Sequence, residues 1–404
     1  MRPHDSQVPG HVPALDGLRG IAIAIVFLGH AVALQLTPAG VEGGLREVLR
    51  FGWSGVDLFF VLSGFLITGI LLDSKGQPRW WPNFFMRRAL RIFPLYYGAL
   101  FLIFIVLPRL VRWHDPDYAL LQANQAWYWG YAVNVLNALT NGHGTPLNTA
   151  HFWSLAIEEQ YYLLWPLVVW LCRPRTLLRV ALIASVIGVA FRLWLVANGR
   201  PEMAYGLTPG RLDGLLLGGA LAVLAREAGG LAQWRPLALR VVTIALIAVA
   251  GTAALRGGFE YHDPVVAAAG YPVLALLYGG LLVLALSGSP TDVLSRTLRS
   301  PALRTAGKYS YGLYVIHYPL VGALERIGLY ERVTSWLGGA HLAAVLLVAG
   351  LSAAATLALA WMSYHFYEKP FLDLKRFFET RRATPASSLA REPLESTGAD
   401  HMAR

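Results

Sequence analysis

Cysteine and charge are both scarce in this sequence. Cys172 is the single cysteine, and charged residues make up 14% of the 404 positions. One cysteine excludes an intramolecular disulfide and argues against a cysteine-based metal site. Hydrophobic residues make up 55% of the chain and the mean hydropathy is +0.47, far outside the usual range for a soluble enzyme. The composition therefore indicates a polytopic membrane protein.

Apolar segments of about 20 residues recur along the chain, and each is long enough to cross a hydrocarbon core about 30 Å thick. We therefore predict an all-α fold, a polytopic membrane bundle with about ten transmembrane helices. The first span contains Arg19 and His30 and no small-residue cleavage site follows it, so we expect no signal peptide. The predicted spans are residues 18–38, 53–72, 92–108, 151–171, 180–198, 211–225, 237–255, 264–287, 309–325 and 337–362.

Residues 125–139 are aromatic, yet the segment is short and contains Asn134 and Asn137. If it does not cross the membrane and the N-terminus is cytoplasmic, fifteen basic residues fall in inner loops and eight in outer loops. If it crosses, the count becomes nine inside against fourteen outside. The positive-inside rule favours the first arrangement, with both termini cytoplasmic. Membrane orientation also explains the net charge of +10 without nucleic acid as a partner.

The domain organisation is simple. Residues 1–375 contain all predicted spans and form one transmembrane domain. Residues 376–404 are polar, with Pro, Ser and Glu and no hydrophobic period, so we predict a disordered cytoplasmic tail.

The first span carries two ionisable residues, Arg19 and His30, eleven positions apart. At about 100° per residue these steps return to the same helix face, about 16 Å further along the axis. An arginine facing lipid costs about 3 kcal/mol or more, so we expect both side chains to face the bundle interior. Arg19 would then lie at the cytoplasmic boundary and His30 near the membrane centre. The alternative is that Arg19 is a positive-inside anchor and His30 a hydrogen-bonded packing residue.

Six sequence blocks stand out along the chain. They are LDGLRGIAIAIVFLGH (15–30), GVDLFFVLSGFLIT (55–68), FFMRRALRIFPLYY (84–97), HFWSLAIEEQYYLLWP (151–166), RLDGLLLGGALA (211–222) and YSYGLYVIHYPL (309–320). In this order they resemble the blocks of the acyltransferase family 3 membrane proteins. The resemblance extends to YEKPF at 367–371 and so covers nearly all of the hydrophobic chain.

The resemblance implies a membrane O-acyltransferase. Family members have about ten spans and move acyl groups from acyl-CoA onto hydroxyls, often of cell-surface sugars. We therefore expect acyl-CoA, preferably acetyl-CoA, as co-substrate, and no metal. The expected acceptor is a carbohydrate or another hydroxylated molecule. We also expect membrane lipid as a partner and a location in a bacterial inner membrane. Some members carry a C-terminal SGNH-type domain that assists acceptor handling. We expect none in 404 residues, which leaves the acceptor open.

Acyl transfer from a thioester to an alcohol needs a base for the hydroxyl proton, and a neutral imidazole suits this role at neutral pH. His30 is the first candidate. His317 is the second, since Ser310, Tyr314 and His317 follow a spacing of 4 then 3 and share a helix face. Ser63 lies in VLSGFL, where Ser-Gly permits close helix packing, so a serine nucleophile is not favoured. Direct transfer and an acyl-enzyme intermediate both stay open.

Two carboxylates inside predicted spans are further catalytic candidates. Asp57 lies one turn inside the second span, where an unpaired carboxylate is costly. It either orients His30 or holds the acceptor, or it is a structural ion-pair partner of Arg192 or Arg211. Glu158 matches the glutamate of its family block and is expected on the outer side of the fourth span. The alternative for Glu158 is an ordinary helix-dipole partner.

Donor binding requires cations that hold the phosphates of coenzyme A from the cytoplasm. Arg87, Arg88 and Arg91 cluster at the cytoplasmic start of the third span. Guanidinium groups bind phosphate in a bidentate manner, so these residues and Arg19 are the predicted donor-binding set. Positive-inside anchoring also explains such a cluster, and the prediction therefore depends on the family block.

The acceptor is expected on the outer side. Arg211 and Asp213 begin the sixth span there, and Trp153 and Tyr314 lie in neighbouring family blocks, so these four are the predicted acceptor-binding residues. The aromatic, Asn-rich segment 124–141 could bind a sugar, but aromatic residues are equally common at any membrane interface.

Two other classes of function compete with acyl transfer. A transporter or flippase would use the same buried charges as a substrate or proton path, although the sequence shows no paired inverted repeats. A membrane binding or scaffold protein would tolerate substitution of His30. The favoured hypothesis is transfer of an acyl group, preferably acetyl, from cytoplasmic acyl-CoA to a carbohydrate hydroxyl, with His30 as general base.

Overall fold

Helices account for all regular structure in the described part of the chain. The computed structural model describes residues 12–110 and 116–378, and the all-α prediction is confirmed there. The first ten helices are α1 Pro13–Leu28, α2 Gly40–Arg50, α3 Gly55–Ser74, α4 Trp80–Phe101, α5 Leu107–Leu110, α6 Pro116–Ala123, α7 Gln125–Trp129, α8 Val133–Thr140, α9 Phe152–Leu171 and α10 Pro174–Ala197.

The second half of the chain contributes ten more helices and several irregular turns. The helices are α11 Pro201–Gly206, α12 Leu212–Leu224, α13 Arg235–Arg256, α14 Tyr271–Ser287, α15 Val293–Leu298, α16 Pro301–Lys308, α17 Ser310–Arg326, α18 Leu329–Trp336, α19 His341–Met362 and α20 Lys369–Asp373. Wider π-helical turns occur at Gly29–Ala33, Leu102–Val106, Val266–Gly270 and Ser363–Glu368, and 3-10 turns at Phe51–Ser54, Thr208–Arg211, Ala232–Trp234 and Leu374–Phe378.

Seven continuous helical segments of the described residues are long and apolar enough to cross a membrane, rather than the ten predicted. They are Pro13–Ala33, Gly40–Ser74, Trp80–Arg109, Pro174–Ala197, Ala232–Arg256, Val266–Ser287 and His341–Phe378.

The three other predicted spans correspond to α9, α12 and α17. Helix α12 has 13 residues and α17 has 17, whereas α9 has 20 but contains Glu158, Glu159 and Gln160. These helices are shorter or more polar because they carry interior polar side chains. Helices α7 and α8, within the doubtful segment 125–139, have five and eight residues and are too short to cross.

Helix α3 lies at the centre of the bundle. Twelve of its 20 residues are buried, so protein rather than lipid surrounds it. Small residues let α12 approach closely: Gly64 lies against the backbone of Leu215, and Gly218 against that of Val61. Such contacts are typical of helix pairs in membranes. Helices α10, α13 and α19 lie at the periphery, where exposed side chains such as Ile244 suit contact with lipid.

The two ends of the bundle can be defined by α3. At the end where α3 finishes, Lys75 Nζ donates to the carbonyl oxygens of Val169 and Cys172 at 2.7 and 2.8 Å. We call this the proximal end, and the end where α3 begins at Gly55 the distal end. The predicted topology puts the proximal end in the cytoplasm.

The predicted domain boundary at residue 375 falls inside the last 3-10 turn, Leu374–Phe378. Residues 376–378 therefore continue the helical structure. The rest of the predicted tail, residues 379–404, lies outside the described residues.

Candidate active site

A cavity of about 850 Å³, counting its opening, lies among α1, α3, α4, α9 and α17. We call it the inner cavity. It is concave and carries convergent polar groups, as small-molecule sites do. The polar lining consists of Arg19, Ser63, Arg88, Arg91, Ser154, Glu158, Glu159, Tyr162, Ser310, Tyr311 and Tyr314.

Three of the four predicted donor-binding residues meet in the inner cavity. Arg19, Arg88 and Arg91 all line it, although they come from α1 and α4. Arg19 is half-buried and forms an ion pair with Asp16 at 3.1 Å. Arg87 points elsewhere, into a small separate pocket beside Asn83. The fourth residue is therefore not part of this group.

Glu158 lies in the same cavity as the arginines, not apart from them on the outer side. The reason is the true start of one helix. Helix α4 begins at Trp80 rather than at residue 92, so Arg88 lies about 12 Å inside the helix rather than at its end. Glu158 precedes Leu171, the last residue of α9, by thirteen residues and is therefore about 20 Å from the proximal end of α9. Both groups lie away from the helix ends and line the same cavity.

Polar side chains of α3, α4 and α9 surround Glu158. Ser63 and Tyr162 are hydrogen-bonded to each other through their hydroxyls, and Ser63 also lies beside the Glu158 carboxylate. The guanidinium carbon of Arg88 lies 5.9 Å from the centre of the Tyr162 ring. Ser63 thus contacts a tyrosine hydroxyl and a carboxylate, and it is not hydrogen-bonded to a histidine of the described residues.

The two candidate histidines form a hydrogen-bonded pair. His30 Nδ1 lies 2.9 Å from His317 Nε2. His317 Nδ1 lies 2.8 Å from the carbonyl oxygen of Tyr314 and 3.1 Å from that of Leu313. Carbonyl oxygens only accept, so His317 Nδ1 carries a hydrogen and its Nε2 accepts from His30 Nδ1–H. The neutral His30 ring is left with an unprotonated Nε2.

His30 lies closer to the distal end than to the middle of the bundle. It belongs to the π-helical turn Gly29–Ala33, and the backbone of Gly29 packs directly on Gly52, just before α3 begins. Its ring stacks on Tyr318 with centroids 4.1 Å apart. Its predicted position near the membrane centre stays a prediction. His30 does not line the inner cavity.

Tyr314 and Ser154 separate the inner cavity from the histidine pair. The two hydroxyls are 2.6 Å apart, and Tyr314 also donates to the carbonyl oxygen of His151 at 3.0 Å. The Tyr314 ring is 5.7 Å from the His317 ring. Tyr314, predicted to bind the acceptor, therefore forms a partition between the arginine-lined cavity and His30.

Asp57 is not bonded to His30. Its Oδ1 accepts from Arg211 Nη2 at 2.8 Å, and both side chains are buried. Asp213 pairs with Arg192 in the same way, at 2.8 Å. The structural alternative considered for Asp57 is thus the arrangement found, and the predicted acceptor residues Arg211 and Asp213 are occupied by these ion pairs.

Aromatic rings enclose Arg211. Its guanidinium carbon lies 4.2 Å from the centre of Tyr271, 5.0 Å from Tyr205 and 5.6 Å from Trp153. Trp153 is 6% exposed and contacts Tyr205 with ring centroids 4.4 Å apart. Trp153 is therefore a packing partner of the buried arginine in this structure, because cation–π contact with several rings compensates the buried charge.

Sequence reasoning missed several residues of this region. Tyr162 follows Ser154 and Glu158 at a spacing of four, so the helical period could have assigned it to the same face. Tyr318 stacks on His30 but carries no signal beyond its neighbour His317. Within residues 12–110 and 116–378, no group of three or more His, Cys, Asp or Glu side chains is arranged to hold a metal ion.

Comparison with known proteins identifies the family. The family model of the acyltransferase domain known as acyltransferase 3 matches residues 12–365. The chain belongs to this family. No solved structure matches it.

Curated relatives of this acyltransferase 3 chain are O-acetyltransferases by name. The O-acetyltransferase OatA of Staphylococcus aureus strain NCTC 8325 is 29% identical over 90% of this chain and 57% of its own length. The peptidoglycan O-acetyltransferase OatA of Listeria monocytogenes is 28% identical over 89% and 56%, respectively. A putative peptidoglycan O-acetyltransferase of Bacillus subtilis, YrhL, is 28% identical over 91% and 56%. The chain spans a little more than half the length of these relatives.

Proposed function

We propose that the protein transfers an acetyl group from acetyl-CoA, bound from the cytoplasm, to a hydroxyl group of a cell-envelope carbohydrate. His30 acts as the general base. The observation that carries this proposal is the hydrogen-bonded chain from the Tyr314 carbonyl through His317 to His30. Family membership supplies the reaction class, and the printed names of the relatives supply the acetyl group and the type of acceptor.

His317 is a positioning residue in this proposal. Its Nδ1–H is held by the carbonyl oxygen of Tyr314, so its Nε2 accepts only from His30. This fixes the His30 tautomer and aims the free Nε2 away from the pair. A third group that orients the base is a general feature of acyl-transfer sites. Asp57 does not serve that purpose here, because Arg211 occupies it.

The reaction step follows from the free nitrogen. His30 Nε2 removes the proton of the acceptor hydroxyl while the oxygen attacks the thioester carbonyl. The new C–O bond forms, the C–S bond breaks, and the imidazolium returns the proton to the departing thiolate as coenzyme A. Neutral imidazole suits both halves of this exchange, since it can take and give a proton near neutral pH.

The inner cavity is the proposed site of the acyl arm of the donor. Arg19, Arg88 and Arg91 give it a cationic lining on its proximal side, and Tyr314 with Ser154 closes it next to His317. The apolar walls of the cavity limit the access of water to the thioester, which limits hydrolysis. Transfer to the acceptor requires the thioester carbonyl to pass the Tyr314 partition, and this side chain is the one that moves.

The acceptor is proposed to approach from the distal end. His30 lies there beside Gly52 and stacks on Tyr318. Aromatic side chains gather nearby, with Trp53 6.0 Å and Tyr261 4.3 Å from the Tyr205 ring. Flat apolar faces with a few polar tips suit the stacking of a sugar ring.

The test is the His30→Ala variant in a quantified, well-folded membrane preparation. Acetyl-CoA labelled in the acetyl group is supplied with peptidoglycan fragments, and label in the glycan and coenzyme A binding are measured separately. We expect turnover to fall by about 10² to 10⁴ while coenzyme A binding is retained, because only proton transfer is removed.

The matched control is His143→Ala, which removes an exposed histidine far from the inner cavity lining. It should transfer like the parent. Near-parental transfer by His30→Ala would show that His30 is not the base and would direct attention to His317. A parent protein that neither transfers nor hydrolyses labelled acetyl-CoA would contradict the transferase itself and favour a transporter.

A further inference from the structure

A second, wider cavity opens at the proximal end of the bundle. Its volume is about 1280 Å³ counting its open mouth, and α1, α4, α16 and the residues after α19 form its walls. We call it the basic vestibule. Its charged lining consists of Arg19, Arg91, Arg304, Lys308 and Lys375, with Asp16 as the one acid.

The basic vestibule is continuous with the inner cavity. Arg19 and Arg91 line both spaces and so form the passage between them. A molecule that fills both spaces therefore places one end beside Tyr314 and the other among Arg304, Lys308 and Lys375. The two cavities differ in lining. The inner one is mostly apolar with an arginine rim, whereas the outer one is dominated by cations.

The positive charge of the basic vestibule is not neutralised by neighbouring acids. Asp16 is paired with Arg19, and Glu368, which accepts from Ser363 at 2.8 Å, faces Arg91 from the side. Among the described residues, no ion pair joins Arg304, Lys308 or Lys375 to a carboxylate. A group of like charges held together in this way attracts anions strongly.

One of these cations, Lys308, is held in place by aromatic rings. Lys308 Nζ lies 5.0 Å from the centre of the Tyr309 ring and 5.1 Å from that of Tyr364. Lys375 is half-buried in the 3-10 turn Leu374–Phe378 and lies within electrostatic range of Arg91. Cations that are fixed before the ligand arrives lose less side-chain entropy on binding.

We propose that the basic vestibule binds the phosphates of the acyl donor, with Arg304, Lys308 and Lys375 contacting the 3′-phosphate and pyrophosphate of coenzyme A. The acyl arm then runs between Arg19 and Arg91 into the inner cavity. This inference rests on the proposed function, because it takes coenzyme A as the donor carrier. A phosphate monoester carries about −1.5 to −2 charge at neutral pH, which complements a site with four more cations than acids.

The experiment compares binding of coenzyme A and of 3′-dephospho-coenzyme A to the purified full chain in neutral detergent. The parent should bind coenzyme A about tenfold more tightly, because the 3′-phosphate adds charge-assisted contacts. Each of Arg304→Gln, Lys308→Gln and Lys375→Gln should weaken coenzyme A binding by about threefold, since these side chains are partly exposed. The triple variant should lose about thirtyfold and no longer distinguish the two ligands.

The control is the double variant Arg296→Gln with Arg299→Gln. Both arginines are exposed, lie in or next to α15 at the same end of the bundle, and are absent from the vestibule lining. The control therefore alters net charge without altering the site, and it should bind both ligands like the parent. The single Lys375→Gln variant decides the question if the triple variant does not fold, because its side chain is only half-buried, in the 3-10 turn Leu374–Phe378.

Three results would overturn the inference. A triple variant that keeps the tenfold preference would place the 3′-phosphate elsewhere. If the triple variant loses the same affinity for both ligands, and this difference from the parent disappears at high salt, the cations only attract anions by long-range electrostatics. The third result uses added phosphatidylglycerol. If this lipid displaces no coenzyme A from the parent, and the variants lose binding of the lipid but not of coenzyme A, the cations bind a lipid headgroup. A parent that transfers acetyl from another donor and binds no coenzyme A would instead contradict the donor of the proposed function.

Discussion

Arginines lie in both halves of the bundle, and the two groups differ in what surrounds them. In the distal half, the side chains of Arg192 and Arg211 are 0% and 1% exposed and each is paired with an aspartate. In the proximal half, Arg19 is 24% exposed, and Arg88 and Arg91 share an open cavity with it. The same residue type is sealed and neutralised in one half and accessible in the other.

The difference separates structural charges from ligand-binding charges. A buried pair has its charges balanced within the protein, whereas an accessible cation without a carboxylate partner can balance its charge with an anionic ligand. The role of each arginine depends on whether it has a carboxylate partner and whether a ligand can reach it, and the sequence shows neither. The distal pairs fix α3, α10 and α12 against each other, while the proximal cations line a path to the histidine pair.

The largest test of this comparison is whether the two ends face opposite sides of the membrane. A reporter of membrane side fused near Gly142 should read as external and one near Arg175 as cytoplasmic, because α9, which lies between them, is predicted to cross the membrane. The readout is all-or-none. If both fusions report the same side, the proximal and distal ends do not correspond to two compartments, and the direction of donor entry has to be revised.

Breaking a distal ion pair should cost the most stability. Asp57→Ala leaves Arg211 buried without a counter-charge, so we expect a loss of about 3 to 5 kcal/mol in the free energy of unfolding. Thermal unfolding in detergent measures it. The double variant Asp57→Leu with Arg211→Met removes both charges and should recover most of the loss. An Asp57→Ala protein that unfolds like the parent but needs more acceptor would instead support the acceptor-binding role.

Removing proximal arginines should affect donor binding rather than stability. Replacing Arg88 and Arg91 with alanine removes two cationic donors that line the path of the acyl arm, and charge-assisted hydrogen bonds are worth about 1.5 to 3 kcal/mol each. Coenzyme A binding should therefore weaken by about 100-fold or more, as measured by calorimetry. Arg87→Ala is the matched control, because this side chain does not line the inner cavity. If the double variant binds coenzyme A like the parent, the arginines at the start of α4 serve only to orient the protein in the membrane.

The smallest effect is expected at the partition between the two halves. Tyr314→Phe removes the hydroxyl that bonds Ser154 and the His151 carbonyl, which should cost about 0.5 to 1.5 kcal/mol of stability and less than tenfold in turnover. Tyr311→Phe is the control, since its hydroxyl also lines the inner cavity and donates to the carbonyl oxygen of Ile92. Abolished transfer in Tyr314→Phe alone, with coenzyme A binding intact, would indicate that this hydroxyl carries the acyl group.

Much of the site could be predicted one residue at a time. Arg19, Arg88, Arg91 and Glu158 were all singled out, and they share one cavity. Their convergence was not predictable from the apolar segments, because α4 begins twelve residues before the predicted span at 92. Hydropathy marks where a helix is apolar, and a helix that carries polar groups for an interior site extends beyond that window.

The histidine pair shows a second limit. His30 and His317 were the two candidate bases, treated as alternatives. The structure joins them through one hydrogen bond, so each has its own role, and their separation of 287 positions gives no local signal of contact. Asp57 shows the same limit. The sequence predicts that an unpaired carboxylate inside a span is costly, but it does not decide whether Arg192 or Arg211 is the partner. The packing of α12 against α3 places Arg211 beside Asp57.

The sequence by itself determined that this is an all-helical membrane protein and which ionisable residues lie inside it. Composition settles both, because apolar runs of membrane length have one stable backbone form and every charge within them needs a partner or a ligand. Only the tertiary structure decided which charges are partners and which are free. That outcome depends on helix register and close packing between distant segments, such as Gly64 on Leu215 and Gly29 on Gly52, which bring α12 against Asp57 and His30 to the distal end.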